Sequence, residues 1–190
     1  LPTQKIIPSA IAYLNYFDGT AMHTAFSQNG FSWTSPVIIH KQEDENNYKY
    51  FCPLNSVNTE ESLIKVLDSD LNTLVNLAIP GKMKSNLLYG DHLMAITKEG
   101  DYNLAFIDEE EGFLEKIALD IPADSLINNI LLFDFHPQYS ALELIVQGKY
   151  GFYVYTSTDY SRIGYYESGV ESTAIPAIID FDKNATWDLL

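Results

Sequence analysis

The chain has 190 residues, of which 46% are apolar and 13% aromatic, a composition typical of a folded domain with a sizeable core. Eleven Lys and Arg residues oppose 26 Asp and Glu residues, and the formal net charge is −15. Such a field repels phosphate backbones and anionic headgroups, which argues against nucleic-acid binding and attachment to an acidic membrane surface. Apolar runs such as Ile130–Phe133 are far shorter than the ~20 residues of a transmembrane helix, so we expect no direct membrane insertion of this segment.

The first predicted element is a β-hairpin over residues 21–33, with its turn at Asn29-Gly30. Its string Ser27-Gln28-Asn29-Gly30-Phe31-Ser32-Trp33 is similar to a turn of five-bladed arabinanase-type glycosidases and, less closely, to the Asp-boxes of sialidases. In both families this string is structural. The resemblance therefore implies a propeller and identifies no catalytic residue.

An acidic loop is predicted between two apolar segments at residues 67–77. Asp68, Asp70 and Asn72 occupy loop positions 1, 3 and 5, and Asn76 occupies position 9. Alternate oxygen-bearing side chains at this spacing allow a tight loop to surround a hard cation such as Ca²⁺. The alternative is a turn that is capped by its own side chains and open to solvent.

Two neighbouring units of four short strands are predicted, from Leu87 to Ile121 and from Ile127 to Glu167. Turns rich in Gly, Asp, Pro and Ser separate their strands at residues 89–91, 98–101, 108–112, 136–138, 147–149 and 157–159. Successive four-stranded meanders of ~40–45 residues are typical of β-propeller blades. We therefore expect an all-β chain, a β-propeller or part of one, with four-stranded antiparallel blades; a β-sandwich is the alternative.

The last predicted element is a second acidic loop between apolar segments at residues 177–190. Its oxygen-bearing residues at positions 1, 3, 5, 7 and 9 are Asp180, Asp182, Asn184, Thr186 and Asp188. Three carboxylates this close repel one another, so either a calcium ion neutralises them or the loop stays solvated. An EF-hand is a poor fit, because it requires flanking helices and a Glu at about position 12.

The acidic loops resemble the FG-GAP and VCBS repeats of integrin α-subunit-like propellers, whose loop reads D-x-D-x-[DN]-G-x-x-D before an apolar strand. Weaker copies of the register begin at Asn15 and Asp134. The family's Gly at position 6 is replaced by Ala185 and Thr73, which implies weak calcium binding if that position has a positive φ. Asn184 also begins an N-x-T sequon, and a glycan there competes with metal binding by the same amide.

The remaining chemistry-bearing residues show no catalytic pattern. Asp18, Asp91 and Asp134 are the candidate glycosidase carboxylates, and each is better explained as a residue of a turn or a strand end. The four histidines are scattered, without the spacing of a transition-metal site. Cys52 is expected to be a small buried side chain. The tyrosines of 150–155 and 160–166 are expected to pack between blades or to form a partner-binding face.

The resemblance implies a non-catalytic protein–protein interaction or adhesion module with a structural calcium loop. Its partner is another protein or other subunits of a complex, and its setting is extracellular or the lumen of the secretory pathway, with a cytoplasmic setting as the alternative. The alternative functions are a carbohydrate-active five-bladed propeller enzyme and a cytosolic WD-repeat-type scaffold. Residues 1–190 are expected to form one propeller segment of about three to four blades, in a longer chain or completed by a partner.

Overall fold

The structure is a computed structural model that describes residues 10–14, 21–26, 30–34, 37–41, 48–134, 138, 141–171, 178–179 and 188–189. Across these ranges the chain forms strands and turns and no helix, so they hold no helix suited to crossing a membrane. Every strand pair within them is antiparallel. The prediction of an all-β chain is confirmed.

In chain order the described strands are β1 (Ala10–Leu14), β2 (Ala21–Phe26), β3 (Phe31–Trp33), β4 (Ile38–Lys41), β5 (Tyr48–Ser56), β6 (Glu61–Leu67), β7 (Thr73–Pro80), β8 (Lys82–Met83), β9 (Leu88–Tyr89), β10 (Leu93–Glu99), β11 (Asp101–Asp108), β12 (Gly112–Ala118), β13 (Ile127–Phe133), β14 (Glu143–Gly148), β15 (Gly151–Thr156), β16 (Arg162–Glu167), β17 (Ile178–Ile179) and β18 (Asp188–Leu189). Strands β1 and β2 form a two-stranded sheet, as do β17 and β18.

Three larger sheets share one arrangement, in which the order of the strands in space follows their order in the chain. In the first sheet, β3 and β4 pair with opposite ends of β5, and β6 and β7 follow. In the second sheet, β8 and β9 pair with opposite ends of β10, and β11 and β12 follow. The third sheet runs from β13 to β16 without interruption. Each is a four-stranded antiparallel meander with its first strand, whole or divided, at one edge.

The second and third sheets are the two units that the turn spacing predicts. The first sheet, over residues 31–80, is not predicted, and neither is β8. The predicted hairpin over residues 21–33 is wrong, because β2 pairs with β1 and β3 pairs with β5. Residues 55–61 are polar, which predicts a surface excursion, but Asn55 and Ser56 end β5 and Glu61 begins β6. The turn between these two strands is therefore shorter than the polar stretch in the sequence indicates.

Gly and Asp residues shape the hairpin turns of the second sheet. Gly100, between β10 and β11, has a φ of 76°, in the left-handed region where a Cβ is costly. The carboxylate of Asp108, the last residue of β11, accepts hydrogen bonds from the N–H groups of Glu110 at 2.8 Å and Glu111 at 2.9 Å. The turn residues thus satisfy the backbone groups that the hairpin leaves unpaired.

The second sheet is covered on both faces. Ala105 belongs to a core shared with the first sheet, where it is grouped with Phe51 and Ile64. Its neighbour in β11, Leu104, belongs to a core shared with the third sheet, where it is grouped with Leu144. Leu104 and Ala105 are both fully buried. Since successive residues of a strand point to opposite faces, the second sheet is packed between the first and the third.

A third core lies on the opposite face of the first sheet. It contains Tyr50, Cys52, Leu67 and Leu71, together with Ala25 of β2. The sheets are therefore stacked in chain order, beginning with the hairpin of β1 and β2.

Candidate functional site

The acidic loop after β6 is a closed, hydrogen-bonded turn. Asp68 Oδ1 accepts hydrogen bonds from the N–H groups of Asp70 at 2.9 Å and Asn72 at 2.8 Å, and Asp68 Oδ2 accepts one from Asn72 Nδ2 at 3.1 Å. The Asp68 N–H donates in turn to the Asn72 carbonyl at 3.0 Å. The structure thus brings together the three residues that the loop spacing selects, in the geometry of a capped turn.

The left-handed residue of this loop is Leu71, at position 4, with a φ of 62°. Its side chain is buried in the core of the first sheet, and this burial offsets a strain of ~1–2 kcal/mol. Thr73, where the repeat family has Gly, is already the first residue of β7. The substitution of Gly by Thr at position 6 therefore imposes no left-handed strain here.

A calcium site in this loop requires the oxygens of positions 1, 3 and 5 to face one point. In the capped turn Asn72 presents an amide N–H, and not its oxygen, to Asp68. Among the described residues, no three His, Cys, Asp or Glu side chains are grouped so that they could hold a metal ion. Calcium binding by Asp68, Asp70 and Asn72 stays a prediction.

Most of the second acidic loop lies outside the described residues, including Asp180, Asp182, Asn184 and Thr186. Asp188 begins β18, and its backbone is opposite Ile179 of β17. A pair of antiparallel strands therefore flanks the loop, as the sequence predicts. Calcium binding there also stays a prediction.

The candidate glycosidase carboxylates that the structure describes lie in turns or at strand ends. Asp91 is exposed between β9 and β10, Asp134 is exposed directly after β13, and Asp18 lies outside the described residues. Asp91 lines a cavity of about 420 Å³ between the second and third sheets, and it is the only carboxylate in the described lining. Hydrolysis of a glycosidic bond by the usual route requires two.

A second cavity, of about 410 Å³, is lined by residues of all three large sheets, among them Asn55, Asn86 and Asn129. The side chains of Asn55 and Asn86 each hydrogen-bond the backbone of the following sheet. Asn129 Nδ2 donates to Gln147 Oε1 at 2.7 Å. These amides are engaged in holding the fold, and no acidic residue is part of the described lining.

A third cavity, of about 420 Å³, lies at one end of the third sheet and concentrates exposed aromatic surface. We call it the tyrosine pocket, and its main lining residues are Asp124, Ser125, Leu126, Lys149, Tyr150 and Tyr165. Leu126, Tyr150 and Tyr165 are 57%, 51% and 45% exposed. Concave surfaces of this size with aromatic walls and a few polar groups are typical of binding sites.

Gly151 creates the space in which the Tyr165 ring lies. A Cβ at Gly151 would be 2.8 Å from Tyr165 Cζ and 2.3 Å from the Tyr166 carbonyl oxygen. The Tyr165 ring also packs on the ring of Tyr153, with 4.7 Å between the centroids, and the Tyr153 hydroxyl shares a 2.9 Å hydrogen bond with Ser125 Oγ. The floor of the pocket is therefore formed by contacts between β15 and β16 and by the segment before β13.

The pocket contains one ammonium group whose charge is already balanced. Lys149 Nζ lies 3.1 Å from Glu171 Oε2 and 5.1 Å from the centroid of the Tyr150 ring. These two neighbours raise the pKa of Lys149, with the hydrogen bond to Glu171 as the largest cause. Burial, followed by the nearby Tyr153 and Glu167, raises the pKa of the Tyr165 hydroxyl, so this ring stays neutral in neutral solution.

The structure divides the tyrosines between the two roles that the sequence leaves open. Tyr153 and Tyr155 are buried in the core shared by the second and third sheets. Tyr150, Tyr165 and Tyr166 remain exposed. The sequence signal for the packing of Tyr165 is Gly151, because a glycine within a strand permits close approach of a neighbouring aromatic ring.

Comparison of the chain with protein-family models, with curated proteins and with solved structures gives no match. The resemblance to FG-GAP and VCBS repeats therefore rests on the loop residues themselves, and it stays a prediction.

Proposed function

We propose that this chain is a non-catalytic protein-binding module that docks a partner through the tyrosine pocket. The observation that carries the proposal is the exposure of Leu126, Tyr150 and Tyr165 around one concave surface. Tyr is enriched at protein interfaces because it combines a large apolar ring with a polar hydroxyl. Isolated exposed apolar residues need no explanation, whereas several around one cavity indicate a contact surface.

We further propose that the sheets are blades of a β-propeller. Three meanders follow one another in the chain, each packs on the next, and the central one contributes residues to both cores. This stacking is expected of radial blades, whereas a two-layer sandwich leaves one face of each sheet outside the core. The edge strands β7, β12 and β16, with several exposed residues each, fit the outer rim of such a blade.

Calcium has a structural role in this proposal. Asp180, Asp182, Asn184, Thr186 and Asp188 would supply its oxygen ligands at the loop flanked by β17 and β18. The ion would stiffen this turn without taking part in a reaction. The expected setting of a calcium-dependent adhesion module is extracellular or luminal. In this proposal Asn184 is a metal ligand and is therefore not glycosylated, although it begins a sequon.

The test is capture of partners by the purified protein, quantified for variants against the parent. A partner that uses the tyrosine pocket is lost with Tyr150→Ala and retained with Leu74→Ala, a control that removes a 53% exposed side chain from β7. Both substitutions truncate exposed side chains, so the fold is expected to survive each. Equal recovery of every partner by the parent and Tyr150→Ala would contradict the proposed function.

A further inference from the structure

We propose that the tyrosine pocket binds an arginine side chain carried by an exposed segment of the partner protein. This inference rests on the proposed function and adds the chemistry of the partner to it. A guanidinium group binds best where an aromatic face, a carboxylate and a concave site coincide. The following features place all three at this end of the third sheet.

The aromatic face is the ring of Tyr165. One side of this ring lies over Gly151 and against Tyr153, while 45% of the residue stays accessible to solvent. The neighbouring Tyr150 ring already has the Lys149 ammonium group 5.1 Å from its centroid, so the protein itself places a cation over an aromatic ring of the pocket. Tyr165 is therefore the ring that is open to a further cation.

The electrostatic balance around the pocket favours a positive ligand. Asp124 lines the pocket, Glu167 lies close enough to raise the pKa of Tyr165, and Glu171 pairs with Lys149. The other nearby ammonium group, that of Lys98, donates to the Ala123 carbonyl beside the pocket. Three carboxylates and two ammonium groups thus lie in or near the pocket, in a protein whose net charge is −15.

Arginine fits this combination better than lysine or a sugar. The planar guanidinium stacks on a tyrosine ring and at the same time donates two parallel hydrogen bonds to a carboxylate such as Asp124. A lysine ammonium is a compact, strongly hydrated charge that does not stack. A neutral sugar gains nothing from the surplus negative charge.

The experiment is a titration of the ¹⁵N-labelled protein, followed by NMR, with N-acetyl-arginine methylamide. The matched lysine and citrulline compounds and cellobiose are the comparison ligands. The arginine compound should shift the amide signals of Leu126, Tyr150 and Tyr165 saturably, and the citrulline compound, which lacks the charge, should not. The lysine compound should bind about threefold more weakly, because its ammonium group lies over the ring without stacking and cannot donate two parallel hydrogen bonds to a carboxylate.

Variants separate stacking from charge. Tyr165→Ala should weaken binding of the arginine compound about threefold, whereas Tyr165→Phe should retain it because the ring remains. Asp124→Asn, an exposed substitution that leaves the fold intact, should weaken binding about twofold and reduce its dependence on salt. Leu74→Ala should leave binding unchanged.

Absence of a saturable shift with the arginine compound, or equal shifts with the citrulline compound, would overturn the inference. Saturable binding of cellobiose at the same amides would assign the pocket to carbohydrate instead. If the arginine compound fails while partner capture still depends on Tyr150, the arginine inference is wrong and the proposed function stands. If the arginine compound does not bind and Tyr150→Ala captures every partner as well as the parent does, the arginine inference and the proposed function are both wrong.

Discussion

The side-chain amide of Asn55 hydrogen-bonds both backbone groups of Met83 across the boundary between the first and second sheets. Asn55 Nδ2 donates to the Met83 carbonyl at 2.9 Å, and the Met83 N–H donates to Asn55 Oδ1 at 2.9 Å. Asn86 makes the equivalent pair of bonds to Ile130 of the third sheet, at 3.2 Å and 2.8 Å. Each side-chain amide hydrogen-bonds the backbone N–H and carbonyl of a residue in the edge strand of the following sheet. These bonds hold each sheet against the next.

Substitution of Asn55 by alanine should lower the free energy of unfolding by ~1–3 kcal/mol. The reason is that the N–H and carbonyl of Met83, a residue that is 3% exposed, lose their partner. Urea denaturation followed by intrinsic fluorescence measures the change. The matched control is Asn76→Ala, which removes an exposed amide from β7 and should change stability by less than ~0.5 kcal/mol. Equal effects of the two substitutions would show that the hydrogen bonds from the Asn55 side chain to Met83 do not stabilise the fold.

Gly151→Ala should be strongly destabilising, by ~1–3 kcal/mol, because the new Cβ would lie 2.3 Å from the Tyr166 carbonyl oxygen. It should also displace the Tyr165 ring and weaken the tyrosine pocket. Gly164→Ala in the adjacent strand is the control, since its nearest atom would be 3.5 Å away, an ordinary contact. Thermal denaturation of both variants measures the difference in stability. If Gly151→Ala is as stable as Gly164→Ala, the close approach of β16 to Gly151 is refuted.

The Cys52 thiol should be inert in the folded protein. It is fully buried in β5, and burial raises its pKa to about 12, partly opposed by Lys65. Because only the thiolate reacts, about one molecule in ten thousand is reactive at pH 8 even before access is considered. Ellman's reagent should therefore modify Cys52 in urea and not in buffer. A Leu74→Cys variant provides an exposed thiol for comparison, and rapid labelling of folded parent protein would contradict the burial of Cys52.

Turn chemistry made the second and third sheets predictable. Turns such as those at Gly100 and Asp108 join neighbouring strands in tight hairpins. Four apolar runs separated by such turns therefore predict four antiparallel strands that pair in chain order. The first sheet differs in that Pro53 stands within its central strand β5. Pro53 has no N–H to donate, and a proline is a signal against a central strand in sequence-based prediction.

The tyrosine pocket could be predicted only in part. Tyrosine-rich strands were evident, but the alternation of residues along a strand separates inside from outside only when one face is solvated. Here the third sheet has buried residues on both faces, such as Tyr153 and Val154. Exposure of Tyr165 instead depends on its position on the edge strand β16, which follows from the stacking of the sheets.

Calcium should raise the unfolding midpoint of the parent protein but not that of Asp182→Ala. At a calcium concentration of about one hundred times the dissociation constant, the expected stabilisation is ~2.7 kcal/mol. Calorimetric scans with calcium and with chelator measure it. Asp68→Ala distinguishes the two loops: it should cost stability through its lost hydrogen bonds while retaining a calcium response from the second loop. An identical midpoint of the parent with and without calcium would end the calcium proposal.

The stacking of the second sheet between two others is tested most directly by the free energies of unfolding of Leu104→Asn and Ala105→Asn. These neighbours in β11 belong to different cores, so each substitution places a polar amide in an apolar interface and should cost at least ~3 kcal/mol. Glu115→Asn, at an exposed position of β12, should cost less than ~0.5 kcal/mol. If either core substitution proves as mild as Glu115→Asn, one face of the second sheet is open to solvent, and the blade-like arrangement is wrong.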